Sequence, residues 1–257
     1  MNPTGLPTLG VNIDHVATLR QLRGTPYPNL LEAARMVEVA GAQQITVHLR
    51  EDRRHIQPED VILLRKQLKI ALNLEMANTD AMVKFAIKHK PDWVCLVPEK
   101  RQEVTTEGGL DIKKNKKQIG ATVAKLRKAK IQVSLFIEPT ESAVEISREL
   151  GADAVELHTG RYCIATQKKA SKTLSKESLA ELERIRASGT KALNLGLKAH
   201  AGHGFDFENV RPVAALLDSE RKPLIREYNI GHAIVCRAVL VGLERAVREM
   251  LSAILAP

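Results

Sequence analysis

Eight short runs rich in apolar and β-branched residues recur along the 257 residues, separated by stretches with helical spacing. That alternation restricts the chain to parallel strands joined by helical crossovers. The runs are LGVNID from Leu9, QITVHL from Gln44, ALNLEMA from Ala71, WVCLVPE from Trp93, QVSLFIEP from Gln132, AVELHTG from Ala154, ALNLGLKA from Ala192 and EYNIGH from Glu227. Eight strands fit a closed barrel, and about 250 residues is the usual length of one. The expected fold is α/β, a single (β/α)8 TIM barrel with room for extra helices, with residues 1–257 forming one catalytic domain. An open doubly wound sheet is the structural alternative. No linker-like Pro, Gly or Ser tract divides the chain.

Two helical stretches stand out. Leu30, Ala33, Ala34, Val37 and Ala40 recur at helical spacing before a stop at Gly41, which predicts a helix on the barrel exterior. Ile234, Ala238, Val241, Leu243 and Val247 predict one closing helix after the eighth strand.

Strands buried on both faces normally read as continuous apolar runs, yet here polar residues occupy alternate positions: Asn12 and Asp14, Thr46 and His48, Asn73 and Glu75, Glu156 and His158. Period-two alternation places each pair on one face of its strand. Several polar side chains then converge inside the barrel near the carboxyl ends of the strands, where barrel active sites lie. The alternative is a set of separately satisfied core groups, and the recurrence at strand ends favours the site.

The segment VHLREDRRH sets His48 at a strand end and Arg50, Arg53, Arg54 and His55 in the loop beyond it. Arginine offers a permanently charged planar fork for phosphate, and histidine titrates near neutral pH, so the segment reads as an anion site with a proton shuttle. Glu51 and Asp52 offer the plainer reading of a solvated loop, and at least one of the three arginines is expected to serve only there. Glu75 in LNLEMA is a lone carboxylate among apolar residues, a setting that raises proton affinity toward the range useful for acid/base work. If strands two and three are adjacent, His48 and Glu75 come within proton-transfer reach. Glu156 in VELHTG is a second such carboxylate, and its plainer reading is a salt bridge to a neighbouring strand.

Glycine-rich turns follow the last two strands, AGHGF around His203 and NIGHA around His232. The second leads straight into a helix whose N-terminus presents free N–H groups, a usual place for a barrel's phosphate site. The polar segment PEKRQEVTTEGGLD, from Pro98 to Asp111, reads as a lid with Gly108 and Gly109 as hinges and with Thr105 and Thr106 offering hydroxyls.

The net charge of +9 fits anionic partners, but aromatics make up only 3% and the basic residues are scattered, apart from KKNKK near residue 115. Few stacking platforms exist for nucleic acid; the charge alone does not decide between nucleic acid, anionic substrates and solubility, and it is the phosphate-type motifs above that make small phosphorylated substrates the expected partners. Cys95, Cys163 and Cys236 form no CxxC pair, which implies neither a zinc site nor a disulfide framework. No apolar run reaches the ~20 residues of a membrane span, and the first residues lack the regions of a signal peptide; a cytoplasmic protein, away from membranes, is expected.

In order between residues 10 and 235, the blocks GVNIDHVATLRQLRG, ITVHLREDRRHI, LNLEMA, LVPEKRQEVTTEGGLD, VSLFIEP, ELHTGRY, AGHGF and NIGHAI resemble the bacterial pyridoxine 5′-phosphate synthase family. The resemblance implies condensation of 1-deoxy-D-xylulose 5-phosphate with 3-amino-2-oxopropyl phosphate, closing a pyridine ring and releasing phosphate and water. It implies no metal, no organic cofactor and a homo-oligomer, commonly an octamer. By match to the family motifs, His48, Glu75 and His203 would move protons and Glu156 would stabilise developing charge. Asn12, Arg23, Gly204, Gly231 and His232 would bind the amino-ketone phosphate, and Asp14, His15, Arg50, His55 and Thr105 the deoxyxylulose phosphate. The chain departs from the family pattern at His200, where asparagine is usual, and in the longer stretch LDSERKPLIRE. Since the substrate supplies the amine, no enzyme lysine is needed as covalent carrier. The competing readings are a lysine-dependent aldolase using Lys198 and a non-catalytic nucleic-acid-binding protein.

Overall fold

The computed structural model describes residues 5–99, 108–167 and 174–257. Strand β1 (Thr8–Asn12) leads into α1 (Asp14–Arg23) and α2 (Leu30–Val39), β2 (Gln44–His48) into α3 (Pro58–Gln67), β3 (Ala71–Met76) into α4 (Asp80–His89), and β4 (Trp93–Leu96) into α5 (Lys116–Lys128). Then β5 (Gln132–Ile137) leads into α6 (Glu141–Glu149), β6 (Ala154–His158) into α7 (Gly160–Gln167) and α8 (Lys176–Asn194), β7 (Lys198–Gly202) into α9 (Val210–Ala214), and β8 (Glu227–Ile230) into α10 (His232–Val241) and α11 (Leu243–Leu255). Each strand pairs with its sequence neighbours, and β8 returns to β1, closing a parallel barrel. The open doubly wound alternative is thereby excluded.

Period two divides every strand between two environments. One face carries Leu9 and Val11, Ile45 and Val47, Leu72 and Leu74, Val94 and Leu96, Val133 and Leu135, Val155 and Leu157, Ala199 and Ala201, Tyr228 and Ile230, all buried beneath the helices. Each large side chain so buried contributes about 1.5–3 kcal/mol, which places the hydrophobic core between sheet and helices. Opposite faces turn inward and carry Gln44, Thr46, Asn73, Cys95, Ser134, Glu156, His200, Glu227 and Asn229, also buried. Barrel interiors are usually filled by branched apolar residues; here hydrogen bonds fill the space instead. Gln44 Nε2 donates to Glu227 Oε1 at 2.8 Å, and Thr46 Oγ1 donates to Asn229 Oδ1 at 2.7 Å. Asn229 Nδ2 donates to Glu156 Oε2 at 2.9 Å.

The ends of the elements are fixed locally. Asn29, Thr79, Thr140 and Ser175 cap their helices by accepting from the backbone N–H three residues on. At the floor of the barrel a side chain preceding one strand accepts the N–H of the strand before it: Gln43 from Leu9, Asp92 from Leu72 and Asp153 from Val133.

Two element assignments from the sequence need correction. ALNLGLKA is not the seventh strand: α8 continues to Asn194, and β7 begins only at Lys198. The buried stripe Ile185, Ser188, Gly189, Ala192 runs at helical spacing into that segment, and Gly196, with φ +75°, turns the chain beyond it. The closing helix is two helices, divided at Gly242 with φ +85° and ψ 152°. The helix predicted around Leu30 to Ala40 is α2, with Gly41 at φ +100° beyond its end.

Candidate active site

At the carboxyl ends of β1, β2 and β3 a cluster grows from backbone geometry. Asn12 Oδ1 accepts the N–H of Asp14 at 2.9 Å, and Asn12 Nδ2 donates to Asp14 Oδ2 at 3.0 Å. The other oxygen of Asp14 accepts the N–H of His48 at 2.9 Å, tying the start of α1 to the end of β2. Burial pushes the Asp14 carboxyl up to about 6, against the lowering effect of these hydrogen bonds. Strands β2 and β3 pair with His48 opposite Glu75, and His48 Nδ1 lies 3.8 Å from Glu75 Oε2. On its far side His48 Nε2 lies 2.9 Å from Glu99 Oε1, whose second oxygen accepts the N–H of Glu51 at 2.9 Å. Burial first, then the charges of Glu156 and Asp14, raise the Glu75 carboxyl well above the usual carboxylate range.

The loop after β2 separates its basic residues by task. Arg53 donates to the carbonyls of Leu49 and Arg50, and Arg54 forms a fork on Asp52. Both are thus held by the loop itself. Arg50 keeps only a 3.4 Å approach to Asp52 and is partly buried. His55 Nδ1 accepts the N–H of Ile56 at 2.9 Å, so its proton sits on Nε2. Burial, then the charges of His48 and Arg50, hold His55 down to about 4; it is a neutral donor near pH 7.

Across the mouth, β6 and β7 supply a second group. Glu156 on β6 is buried, and burial followed by the charge of Glu227 raises it to about 8. His158 Nδ1 lies 3.2 Å from Glu138 Oε1, and the His158 ring packs 4.9 Å from that of His203. His203 has φ +77° and Gly204 φ +91°. Thr159 Oγ1, 2.7 Å from the carbonyl of His203, holds this turn. Desolvation, then the charge of His158, lowers the proton affinity of His203. A Cβ on Gly204 would lie 3.0 Å from that of Cys163, so the turn has no space for a larger residue.

Between the groups, Gly231 opens α10 against β1. A Cβ there would meet the Asn12 carbonyl at 2.7 Å and Asn12 Oδ1 at 3.0 Å. The His232 ring stands 4.9 Å from that of His15. No described side chain caps this helix start, which lies beside His15 and His232, an arrangement that suits a phosphate. Arg23 lies elsewhere, exposed at the other end of α1, about 13 Å along the helix from Asp14 at 1.5 Å per residue. Thr105 and Thr106 lie outside the described residues. Of the two expected hinges, Gly109 donates its N–H to Glu138 Oε1 at 2.7 Å, and Gly108 packs so close to the His158 ring that a Cβ on it would lie 2.8 Å away.

Sequence reasoning passed over Glu99, Glu138, Glu227 and Asn229. Glu99 and Glu138 follow the ends of β4 and β5, the same strand-end location that drew attention to His48, and that signal would have found them. Glu227 and Asn229 alternate along β8 as the noticed pairs do along their strands. Lys198 begins β7 at the opposite end of the barrel, with its ammonium 4.7 Å from the centre of the Trp93 ring. Asp14, His48 and Glu75 offer ligand atoms within 4.8 Å of one another, the one such group among the described residues. Both Asp14 oxygens there are already engaged by Asn12 and His48.

Comparisons with known proteins place the chain among its relatives. A pyridoxine 5′-phosphate synthase from Cyanothece sp. is 51% identical over 249 residues, covering 97% of this chain and 98% of that protein. Another from Syntrophotalea carbinolica is 53% identical over 242 residues, covering 94% and 96%. Among solved structures, thiamine phosphate pyrophosphorylase from Pyrococcus furiosus shares the fold with a TM-score of 0.56 at 12% identity, covering 97% and 96%. The family model described as pyridoxal phosphate biosynthesis protein PdxJ matches residues 9–256, and the chain belongs to that family.

Proposed function

We propose that the chain, acting through residues 1–257 as one catalytic domain, is a pyridoxine 5′-phosphate synthase. It condenses 1-deoxy-D-xylulose 5-phosphate with 3-amino-2-oxopropyl phosphate, and it acts as a homo-oligomer in the cytoplasm. The observation that carries the reading is His48 between two carboxyls, Glu75 and Glu99, at a mouth that also holds the α10 start at Gly231 and His232. Ring closure from two phosphorylated carbonyl compounds needs binding for phosphate and several proton transfers at fixed places. This mouth offers both.

In this reading Asn12, Gly231, His232 and Gly204 grip the amino-ketone phosphate, while Arg50, His15, His55 and Asp14 hold the deoxyxylulose phosphate. Arg23 and Thr105 remain assigned to the same ligands from the family motifs. The substrate amine attacks the ketone of its partner and water leaves, giving an imine. Glu75, whose hold on its proton burial strengthens, delivers the proton that the departing hydroxyl needs. His48 Nδ1, left basic when Nε2–H points to Glu99, takes up protons from carbon or nitrogen. Its 3.8 Å distance to Glu75 is bridged by a substrate group or shortens on binding. His203 serves the opposite side of the ring, and Glu156, held as a neutral acid, stabilises negative charge as phosphate leaves. Incubation with both substrates should yield pyridoxine 5′-phosphate and inorganic phosphate. No product under any condition overturns the assignment, and borohydride trapping that labels Lys198 and stops turnover would favour an aldolase.

A further inference from the structure

Beneath the mouth, two buried carboxyls share one amide. Asn229 Nδ2 donates to Glu156 Oε2 at 2.9 Å and to Glu227 Oε1 at 3.2 Å. The orientation of that amide is fixed from its other end, where Oδ1 accepts from Thr46 Oγ1 at 2.7 Å and from Gln44 Nε2 at 3.2 Å. Glu227 therefore receives Asn229 and, at 2.8 Å, Gln44 on the same oxygen, while His200 Nδ1 lies 3.2 Å away and Thr8 Oγ1 reaches its second oxygen at 3.4 Å. Converging donors match an anionic carboxylate. Glu156 lacks such a set: among the described residues it has the single Asn229 donor and the thiol of Cys95, 3.8 Å away.

We propose that Glu227 is a positioning residue for Glu156, acting through the amide of Asn229 so that the two lumenal carboxyls hold a single proton and Glu156 keeps it. This rests on the reading of Glu156 as part of the reacting machinery. Two buried carboxyls joined by one amide repel each other when both are charged, and the member with more converging donors is the better place for the charge. The titratable groups facing Glu156 are Glu227 from β8, Cys95 from β4 and Glu75 from β3, with His200 of β7 as its register partner and His158 two residues along its own strand. The negative charge of Glu227 is the largest effect on Glu156 after burial. Glu227 is buried at the start of β8, away from the carboxyl ends of the strands that form the mouth, so its influence passes through the Asn229 amide and the proton on Glu156.

Infrared titration of the unliganded full-length protein tests this, with the protonated carboxyl band of Glu156 assigned by its loss in Glu156→Gln. Glu227→Gln keeps an oxygen for the Asn229 and Gln44 donors and removes only the charge; the Glu156 midpoint should fall by about one pH unit or more. Gln44→Met, similar in volume, removes the shortest donor to Glu227 and should move the midpoint the same way by less. The double variant should move no further than Glu227→Gln alone. A midpoint unchanged in both single variants, or a Gln44→Met shift that adds in full to that of Glu227→Gln, overturns the proposal. Because no substrate is present, failure of the wild-type chain to make pyridoxine 5′-phosphate would overturn the proposed function while leaving these midpoints to decide the role of Glu227.

Discussion

His48 Nε2 lies 2.9 Å from Glu99 Oε1, a contact that ties the end of β2 to the residue three positions beyond β4. An imidazole held in this way has its proton directed to one nitrogen and its other nitrogen left as a base. Hydrogen bonds from His48 and from the Glu51 backbone lower the Glu99 carboxyl despite its partial burial, so it accepts through the neutral range.

Glu99→Gln retains a group of the same size but can turn its NH2 toward His48, which favours the wrong tautomer. Turnover should fall about 10- to 100-fold with little change in Michaelis constants or melting temperature. Steady-state kinetics beside a thermal melt check this, and unaltered turnover would remove Glu99 from the acid/base apparatus.

Gly231→Ala places a methyl against the Asn12 carbonyl and side chain. Since α10 must then move away from β1, the Michaelis constant for the amino-ketone phosphate should rise about tenfold or more, in line with the cost of ångström-scale misplacement. Kinetics with each substrate varied in turn would measure it; an unchanged constant would separate the helix start from phosphate binding.

The Glu156 carboxyl, raised by burial and by Glu227 from the ordinary 4.5 of a glutamate to about 8, links stability to pH. Below about 4.5 both folded and unfolded chains carry the proton; between there and about 8 only the folded chain does, so this stabilising contribution is progressively lost as pH rises. Glu156→Gln should flatten the fall in melting temperature between about pH 5 and 8 and melt higher than wild type above that range. Parallel melting curves across the range would contradict the burial argument.

Much of this architecture is legible in the chain because the strands advertise two periods at once. Val11, Ile45 and Leu74 mark the face that meets helices, and Thr46, Asn73 and Glu156 mark the lumen. The seventh strand is obscured because ALNLGL alternates like a strand while Ala192 also completes a helical stripe, and long-range packing of α8 decides between them. Gly242 stands between two apolar stretches whose spacing continues across it, so only its backbone angles reveal the break. Within the site, His48 and Glu75 are legible from strand alternation and Glu99 from its place just past the end of β4, but its pairing with His48 is set by the way the closed barrel brings β2 and β4 together. Arg23 illustrates the converse: a motif supplies its role, but the described geometry leaves it at the far end of α1.

The central claim is that Glu75 delivers protons to the reacting substrates from beside His48, and the turnover of Glu75→Gln measures it most directly. Glutamine preserves size and hydrogen-bonding capacity but carries no transferable acid proton. With both substrates saturating and folding verified by thermal melt, turnover should drop by roughly 10²-fold or more while Michaelis constants change little. A folded variant with near-wild-type turnover would contradict the account and return Glu75 to a purely structural place in the barrel.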